Sequence, residues 1–328
     1  MLGFFRWAGA ALSVLTVVAV AAIFLGPVEK VDLSFDFDDA KIGADLDAWL
    51  DEQEQWIPGI TPRTEKHVVW AGVKGEKTAV SIVYLHGFSG SAVDIDPVPE
   101  RIADAIGANV FYSRLTGHGL DGASLGAASP DSWLEDTAEA IAIGRRLGDQ
   151  ILIIGTSTGG TLATIAAVDP ILSKDIFGVV LVSPNYRLKS AQAKIFDLGF
   201  VPVWAPLLTG PEYSRRPTSQ DHATYWTTRY PVSALFNLAT LMRAARTIDV
   251  STGKIPMVVL YATDDQVVDA DFTESFLQDW GGPVRWETFT MTDQDDPSSH
   301  MIVGDIRSPT QSTLAIETIL DWYGELGR

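Results

Sequence analysis

The chain has 328 residues, of which 46% are hydrophobic, and this is enough for one large α/β domain with a substantial core. Its 42 acidic residues outnumber its 24 basic residues and give a formal net charge of -18, which disfavours nucleic acid as a partner because phosphate binding requires a surplus of Lys and Arg. The absence of cysteine excludes disulfides, thiolate catalysis and cysteine-ligated metal sites.

Residues 1–27 form a separate apolar segment. Trp7 to Leu25 is free of charged residues and is about the length that crosses a bilayer. Arg6 precedes this stretch and acidic residues follow it from Glu29, so the positive-inside rule predicts a single-pass transmembrane helix with the bulk of the chain outside the cytoplasm. A second interpretation stays open, because Ala19-Val20-Ala21 is typical of a signal-peptide cleavage site and predicts a secreted or periplasmic protein.

An acidic connector, residues 28–65, follows this segment. Within it, the helical spacing of apolar residues between Ile42 and Ile57 predicts a helix that packs on the main domain. Beyond Pro62, short apolar runs alternate with helical patterns, which predicts a mostly parallel central sheet flanked by helices. The predicted strands are residues 67–71, 78–85, 109–113, 150–154, 178–183, 257–261 and 284–289, and the clearest helices are 99–106 and 132–147.

The alternation of strands and helices stops in residues 184–249. This segment is rich in Pro, Trp and Tyr, and its one clear pattern is a helix from Pro231 through Arg246. We interpret it as a helical cap inserted into an α/β core formed by residues 66–183 and 250–328. Its eight basic and four acidic residues give it a charge opposite to that of the whole chain. The excess is either a scattered solvated surface or a face for anionic headgroups or acidic substrates.

A G-x-S-x-G pattern occurs at Gly155-Thr156-Ser157-Thr158-Gly159. Its glycines permit a sharp turn from strand to helix that exposes the serine hydroxyl. A second match surrounds Ser124, but only Ser157 follows a predicted strand and precedes a helical pattern, at residues 161–168. We therefore predict Ser157 as a nucleophile, with an ordinary glycine-rich turn as the alternative. The segment lacks the Gly-Lys-Ser/Thr ending of a phosphate loop.

A second glycine-containing turn, His86-Gly87-Phe88-Ser89-Gly90, ends the strand at residues 78–85. A turn of this kind can direct a backbone N–H toward a nucleophile. We predict that the N–H groups of Phe88 and Thr158 form an oxyanion hole. His86 is expected to hold the turn together by hydrogen bonds, although it is also a candidate base.

These two motifs, together with a late Asp and a late His, resemble the α/β-hydrolase superfamily, and within it the carboxylesterase and monoacylglycerol lipase branch. The resemblance covers His67 to Arg328. The segment 261–268 is similar to the branch's strand-end G-x-x-D-x-x-V pattern, with Ala262 in place of glycine. This alignment implies that Asp265 is the acid of a catalytic triad, with Asp264 and Asp269 as neighbouring alternatives.

His300 lies beyond the last predicted strand and completes the chain order Ser, Asp, His that this fold uses. The resemblance implies a serine esterase or lipase that acts on small-molecule or lipid-like esters through an acyl-serine intermediate, with no cofactor and no metal. An amidase or aminopeptidase, an acyltransferase and an inactive hydrolase-fold binding protein remain alternatives. The acidic stretch at residues 292–296 lacks the pattern of an EF-hand loop and is expected to be a solvated loop.

Overall fold

A seven-stranded sheet forms the centre of the computed structural model, which describes residues 2–35 and 37–327. Met1, Asp36 and Arg328, which the predicted segments include, lie outside these ranges. The strands are β1 (His67–Val69), β2 (Thr78–Leu85), β3 (Asn109–Tyr112), β4 (Gly148–Thr156), β5 (Ile176–Val182), β6 (Glu212–Ser214), β7 (Arg229–Pro231), β8 (Met257–Tyr261) and β9 (Val284–Thr288). The strand order in the seven-stranded sheet is β1-β3-β2-β4-β5-β8-β9. In this sheet of described residues β1 is antiparallel to its neighbour, and the other neighbouring strands are parallel.

Apolar cores cover both faces of this sheet. Side chains alternate between the faces of a strand, so that Val83 and Leu85 of β2 enter one core while Ile82 and Tyr84 enter the other. Helices cover the two faces, as the predicted parallel sheet requires. The helices are α1 (Leu2–Leu25), α2 (Leu46–Glu54), α3 (Val98–Ile106), α4 (Gly122–Ala127), α5 (Pro130–Leu147), α6 (Thr158–Val168), α7 (Val201–Thr209), α8 (Gln220–Tyr225), α9 (Ser233–Ala245), α10 (Ala270–Leu277) and α11 (Ser312–Glu325).

Residues 184–249, called the insertion from here on, leave the sheet after β5 and return before β8. They contain α7, α8, α9 and a 3-10 helix at Ala191–Asp197. They also contain an antiparallel pair of three-residue strands, β6 and β7, which the sequence analysis did not predict. The pattern was missed because strands this short contain no measurable alternation of apolar and polar residues.

The predicted single-pass transmembrane helix, on which the predicted location outside the cytoplasm rests, is wrong. Within residues 2–35 and 37–327, no helix combines the length and the apolar character that crossing a membrane requires. The apolar N-terminal segment forms α1, and its last turn contacts the insertion, where the Gly199 N–H donates to the Ile23 carbonyl at 2.7 Å. The prediction counted charges and residues, but a count of this kind carries no information about such contacts.

The connector after α1 is tied to the core by a buried ion pair. Glu54, at the end of α2, accepts a hydrogen bond from Arg114 Nε at 2.7 Å, and both side chains are less than a tenth exposed. The second carboxylate oxygen of Glu54 accepts the Lys66 N–H at 2.8 Å. These contacts hold α2 against the sheet beside β1 and β3.

Candidate active site

Ser157 occupies the sharp turn between β4 and α6. Its backbone has φ 51° and ψ -110°, a conformation that L-residues adopt at a cost. Two flanking glycines make the turn possible. A Cβ on Gly159 would lie 1.9 Å from the Leu85 carbonyl oxygen, and a Cβ on Gly155 would lie 2.6 Å from the Gly159 carbonyl oxygen. The strained serine and the close backbone approach are the features that the G-x-S-x-G pattern predicts.

Three predicted side chains meet at this turn. Ser157 Oγ lies 3.1 Å from His300 Nε2, and His300 Nδ1 lies 2.8 Å from Asp265 Oδ2. All three residues are buried, and Asp265 is only 1% exposed. In the tautomer that this geometry favours, the serine hydroxyl donates to Nε2 and the Nδ1–H donates to the carboxylate.

The neighbouring aspartates have other partners. Asp265 follows β8, and its Oδ1 accepts the N–H groups of Val267 and Val268 at 2.7 and 2.9 Å, which leaves Oδ2 for the imidazole. Asp264 accepts the Ser299 hydroxyl at 3.0 Å. Asp269 is the N-cap of α10. Among the three candidates, Asp265 is the carboxylate that contacts His300.

The acidic stretch before His300 is only in part the solvated loop that we expected, since residues 292–294 are exposed and the last two residues are not. Asp295 and Asp296 are buried, and Asp296 accepts the Met301 N–H at 2.9 Å and the Ser298 hydroxyl at 2.7 Å. Its other oxygen forms an ion pair with Arg307. Burial raises the pKa of Asp296, but the Arg307 charge and these donors outweigh it and keep the pKa below its ordinary value.

Asp296 and Arg307 therefore shape the loop that carries His300. Arg307 also reaches the insertion, where its guanidinium contacts Thr218 and lies 2.9 Å from His222 Nδ1. Sequence reasoning missed both roles, because a polar stretch such as residues 292–296 gives no sign of which carboxylate is buried. The one available signal was Arg307, a nearby cation that could pair with a buried carboxylate.

The predicted oxyanion donors lie on the two turns next to Ser157. Thr158 is the first residue of α6, so its N–H has no acceptor within the helix and lies at the positive end of the helix dipole. The Phe88 side chain packs edge-on against His118, Trp133 and Tyr230, which fixes the turn that follows β2. Within the described ranges, neither N–H donates to a protein acceptor.

His86 is built into this turn by hydrogen bonds. Its Nε2 accepts the Leu115 N–H at 3.0 Å, and its Nδ1 lies 2.9 Å from the Gly87 carbonyl oxygen. Burial lowers the pKa of His86 to about 4. A neutral, fully bonded imidazole is suited to a structural role and not to that of a base.

Ser124, from the second G-x-S-x-G match, lies in the first turn of α4. Its N–H and its hydroxyl both bind the Asp121 carboxylate, at 2.9 and 2.8 Å. This is an ordinary helix N-cap arrangement. Among the described residues, the recorded partner of the Ser124 hydroxyl is this capping carboxylate and not a histidine.

A cavity of about 490 Å³ opens onto Ser157 and His300. The insertion supplies one apolar wall, formed by Ile195, Phe196, Val232, Leu235 and Leu238. A polar wall contains His222, Arg215 and Arg307. Burial, followed by the charges of these two arginines, lowers the pKa of His222 to about 4. A cavity of this size and polarity fits a small organic molecule with an apolar part and a polar part.

Known proteins resemble this chain in sequence and in fold. A family described as serine aminopeptidase, S33, matches residues 76–286. The chain is 24% identical over 208 residues to a thermostable monoacylglycerol lipase from Bacillus sp. (strain H-257), which covers 62% of this chain and 79% of that protein.

Solved structures share the fold. One belongs to a study of two metagenome-derived lipolytic enzymes, with a TM-score of 0.66, 20% identity and coverage of 81% of this chain and 99% of that one. Another is the monoacylglycerol lipase of Paleococcus ferrophilus, with a TM-score of 0.57, 14% identity and coverage of 80% and 99%. Likeness at these identities establishes a common architecture of sheet and helices.

Proposed function

Because the chain belongs to the serine aminopeptidase S33 family and has the α/β-hydrolase fold, we propose that it is a serine hydrolase that cleaves carboxylic esters with an apolar acyl group. The observation that carries the proposal is the continuous hydrogen-bond path from Ser157 Oγ through His300 to Asp265, at 3.1 and 2.8 Å, beside a partly apolar cavity. The names of the relatives, monoacylglycerol lipases and lipolytic enzymes, favour a lipid-like ester.

The proposed reaction has two steps. His300 Nε2 takes the hydroxyl proton of Ser157 as Oγ attacks the ester carbonyl carbon, and Asp265 stabilises the imidazolium that forms. The carbonyl oxygen becomes negative and accepts the N–H groups of Phe88 and Thr158. The proton on His300 passes to the alcohol as the C–O bond breaks and leaves an acyl-serine. Water then attacks the acyl-serine by the same route, with His300 as base, and releases the acid.

The charges of the cavity favour an ester over the amino-terminal residue of a peptide. An aminopeptidase needs a carboxylate to bind the α-ammonium group of its substrate. Three carboxylates line the described part of the cavity, and each has a partner: Asp94 accepts the Gly87 N–H, Glu212 pairs with Arg229, and Asp296 pairs with Arg307.

We further propose that residues 184–249 act as a cap over this cavity. In this division, residues 66–183 and 250–328 form the catalytic core and residues 28–65 form a connector. The apolar wall that the insertion contributes would bind the acyl chain, since burial of each CH₂ group contributes about 0.8 kcal/mol.

Three matched substrates test the proposed function. The full chain is assayed with p-nitrophenyl butyrate, an ester that releases p-nitrophenol, and with butyryl p-nitroanilide and alanyl p-nitroanilide, an amide and an aminopeptidase substrate that both release p-nitroaniline. We expect hydrolysis of the ester, and a loss of at least about 10³-fold in kcat in Ser157→Ala. Ser124→Ala is the matched control and should retain the activity. Preference for alanyl p-nitroanilide, or full activity in Ser157→Ala, would contradict the proposal.

A further inference from the structure

A buried carboxyl group closes the loop that carries Phe88. Asp94 is fully buried, and its Oδ2 accepts the Gly87 N–H at 3.0 Å. Its Oδ1 accepts the hydroxyl of Tyr84, the penultimate residue of β2. The carboxyl group therefore joins the start of the glycine turn to the end of the strand that precedes it.

The same contacts reach the nucleophile turn. The Tyr84 hydroxyl lies 3.2 Å from Thr156 Oγ1, and Thr156 is the residue before Ser157. Gly87 lies between the carboxyl group and the nucleophile, since a Cβ at Gly87 would be 3.4 Å from Ser157 Cβ and 3.5 Å from Asp94 Oδ2. A shift of this carboxyl group therefore moves a turn that lies directly beside the serine.

Stability alone does not explain a carboxyl group in this position. Burial raises the pKa of Asp94 to about 7, against the opposing effect of its hydrogen bonds to Tyr84 and Gly87. Burying an ionisable group is costly, and an apolar side chain of similar volume is often at least as stable. An acceptor is needed here because the Gly87 N–H is itself buried and would otherwise be unpaired.

We propose that Asp94 is a positioning residue for the oxyanion hole. By accepting the Gly87 N–H, it fixes the orientation of the His86–Gly87 peptide at the start of the turn. The next peptide follows from this anchored unit, and its N–H, that of Phe88, is thereby directed toward the carbonyl oxygen of the substrate. This inference rests on the proposed function, in which Ser157 attacks an ester and Phe88 stabilises the resulting negative charge.

Two substitutions separate this role from simple packing. Asp94→Leu keeps the branched shape and the number of heavy atoms, although its methyl groups are larger than the oxygens, and it removes the acceptor. Asp94→Asn keeps a carbonyl oxygen for the Gly87 N–H. We expect Asp94→Leu to lower kcat for p-nitrophenyl butyrate about 100-fold with KM within about 3-fold, since loss of one oxyanion donor costs about 10²- to 10³-fold. Asp94→Asn should restore kcat to within about 5-fold of the unmodified protein.

A thionoester supplies a readout that a packing defect does not produce. Sulfur is a weak hydrogen-bond acceptor, so hydrolysis of O-(4-nitrophenyl) thionobutyrate draws little stabilisation from the oxyanion hole. We expect Asp94→Leu to slow the thionoester less than about 5-fold while it slows the oxoester about 100-fold. Equal losses on the two substrates, or no rescue by Asp94→Asn, would overturn the assignment.

Ser91→Ala is the matched control in the same loop. The Ser91 hydroxyl is buried and has no hydrogen-bond partner among the described residues, so its removal should leave both rates within about 2-fold. The two levels of the account fail differently. Ester hydrolysis that persists in Ser157→Ala contradicts the proposed function, whereas hydrolysis that depends on Ser157 but survives in Asp94→Leu contradicts only the role of Asp94.

Discussion

The Gly159→Ala substitution adds one methyl group at the position where the nucleophile turn approaches strand β2 most closely. The new Cβ would lie 1.9 Å from the Leu85 carbonyl oxygen and 2.5 Å from its carbonyl carbon. Both are backbone atoms of a central strand, which pairs with β3 on one side and β4 on the other. The sheet cannot yield locally, so the turn itself must move.

The size of the movement follows from the contact distance. Ordinary contacts of a Cβ begin at about 3 Å, so α6 and Ser157 must shift by roughly 1 Å relative to β2. A misplacement of about 1 Å in catalytic geometry can cost about 10²-fold in rate, and overpacking of a core costs about 1–3 kcal/mol. We therefore predict that Gly159→Ala lowers kcat about 100-fold and the free energy of unfolding by about 1–3 kcal/mol.

Gly160→Ala is the matched control for this prediction, one residue further along α6. Its Cβ would lie 3.0 Å from Pro184 Cβ and 3.2 Å from both Pro184 Cα and the Gly155 carbonyl oxygen, so a shift of a few tenths of an ångström is enough to relieve these contacts. Alanine also favours a helix over glycine by up to about 1 kcal/mol. Urea unfolding and p-nitrophenyl butyrate kinetics measure both effects. A Gly159→Ala variant as stable and as active as Gly160→Ala would refute the argument that backbone approach determines the geometry of this turn.

Three further predictions concern the surroundings of the site. Glu54→Ala leaves Arg114 buried without its ion-pair partner and should lower the free energy of unfolding, measured by urea titration, by about 3–5 kcal/mol. The control Asp149→Ala breaks an exposed ion pair and should change this free energy by no more than about 1 kcal/mol. Asp296→Ala frees the loop that carries His300 and should lower kcat about 10-fold or more while KM changes little; an unchanged kcat would contradict this role. His222, whose folded-state pKa of about 4 lies below the ordinary 6.5, binds fewer protons in the folded than in the unfolded chain between these values. The unmodified protein should therefore lose more stability than His222→Gln as pH falls from about 6.5 to about 4, and parallel unfolding curves would contradict this.

The resemblance to the α/β-hydrolase superfamily was found from sequence motifs alone, and the family match and the shared fold confirm it. The sheet was predictable because its strands are short apolar runs bounded by turns, and β2 and β8 begin and end at the predicted residues. The strand–turn–helix context separated Ser157 from Ser124, since it reflects the local backbone conformation that the chemistry needs. The roles predicted for Ser157, Asp265, His300, Phe88 and Thr158 remain predictions that the substitutions above test.

The burial of the polar side chains beside the catalytic turns was not predictable. Asp94 lies seven residues after Gly87, and Asp296 lies four residues before His300. Nothing in either local sequence indicates that the carboxyl group is buried, or that Arg307 pairs with Asp296 in the folded chain.

The central claim, that Ser157 is the nucleophile of an ester hydrolase, is tested most directly by covalent labelling. The full chain is incubated with a fluorophosphonate, which traps an activated serine, and the labelled residue is mapped by mass spectrometry beside the rate of p-nitrophenyl butyrate hydrolysis. The account predicts one adduct, on Ser157, with loss of hydrolysis in proportion to labelling. It also predicts that His300→Ala, which lacks the general base, shows neither the adduct nor hydrolysis of the ester. A protein that hydrolyses the ester but is labelled on another residue, or remains active when Ser157 is fully labelled, would contradict it.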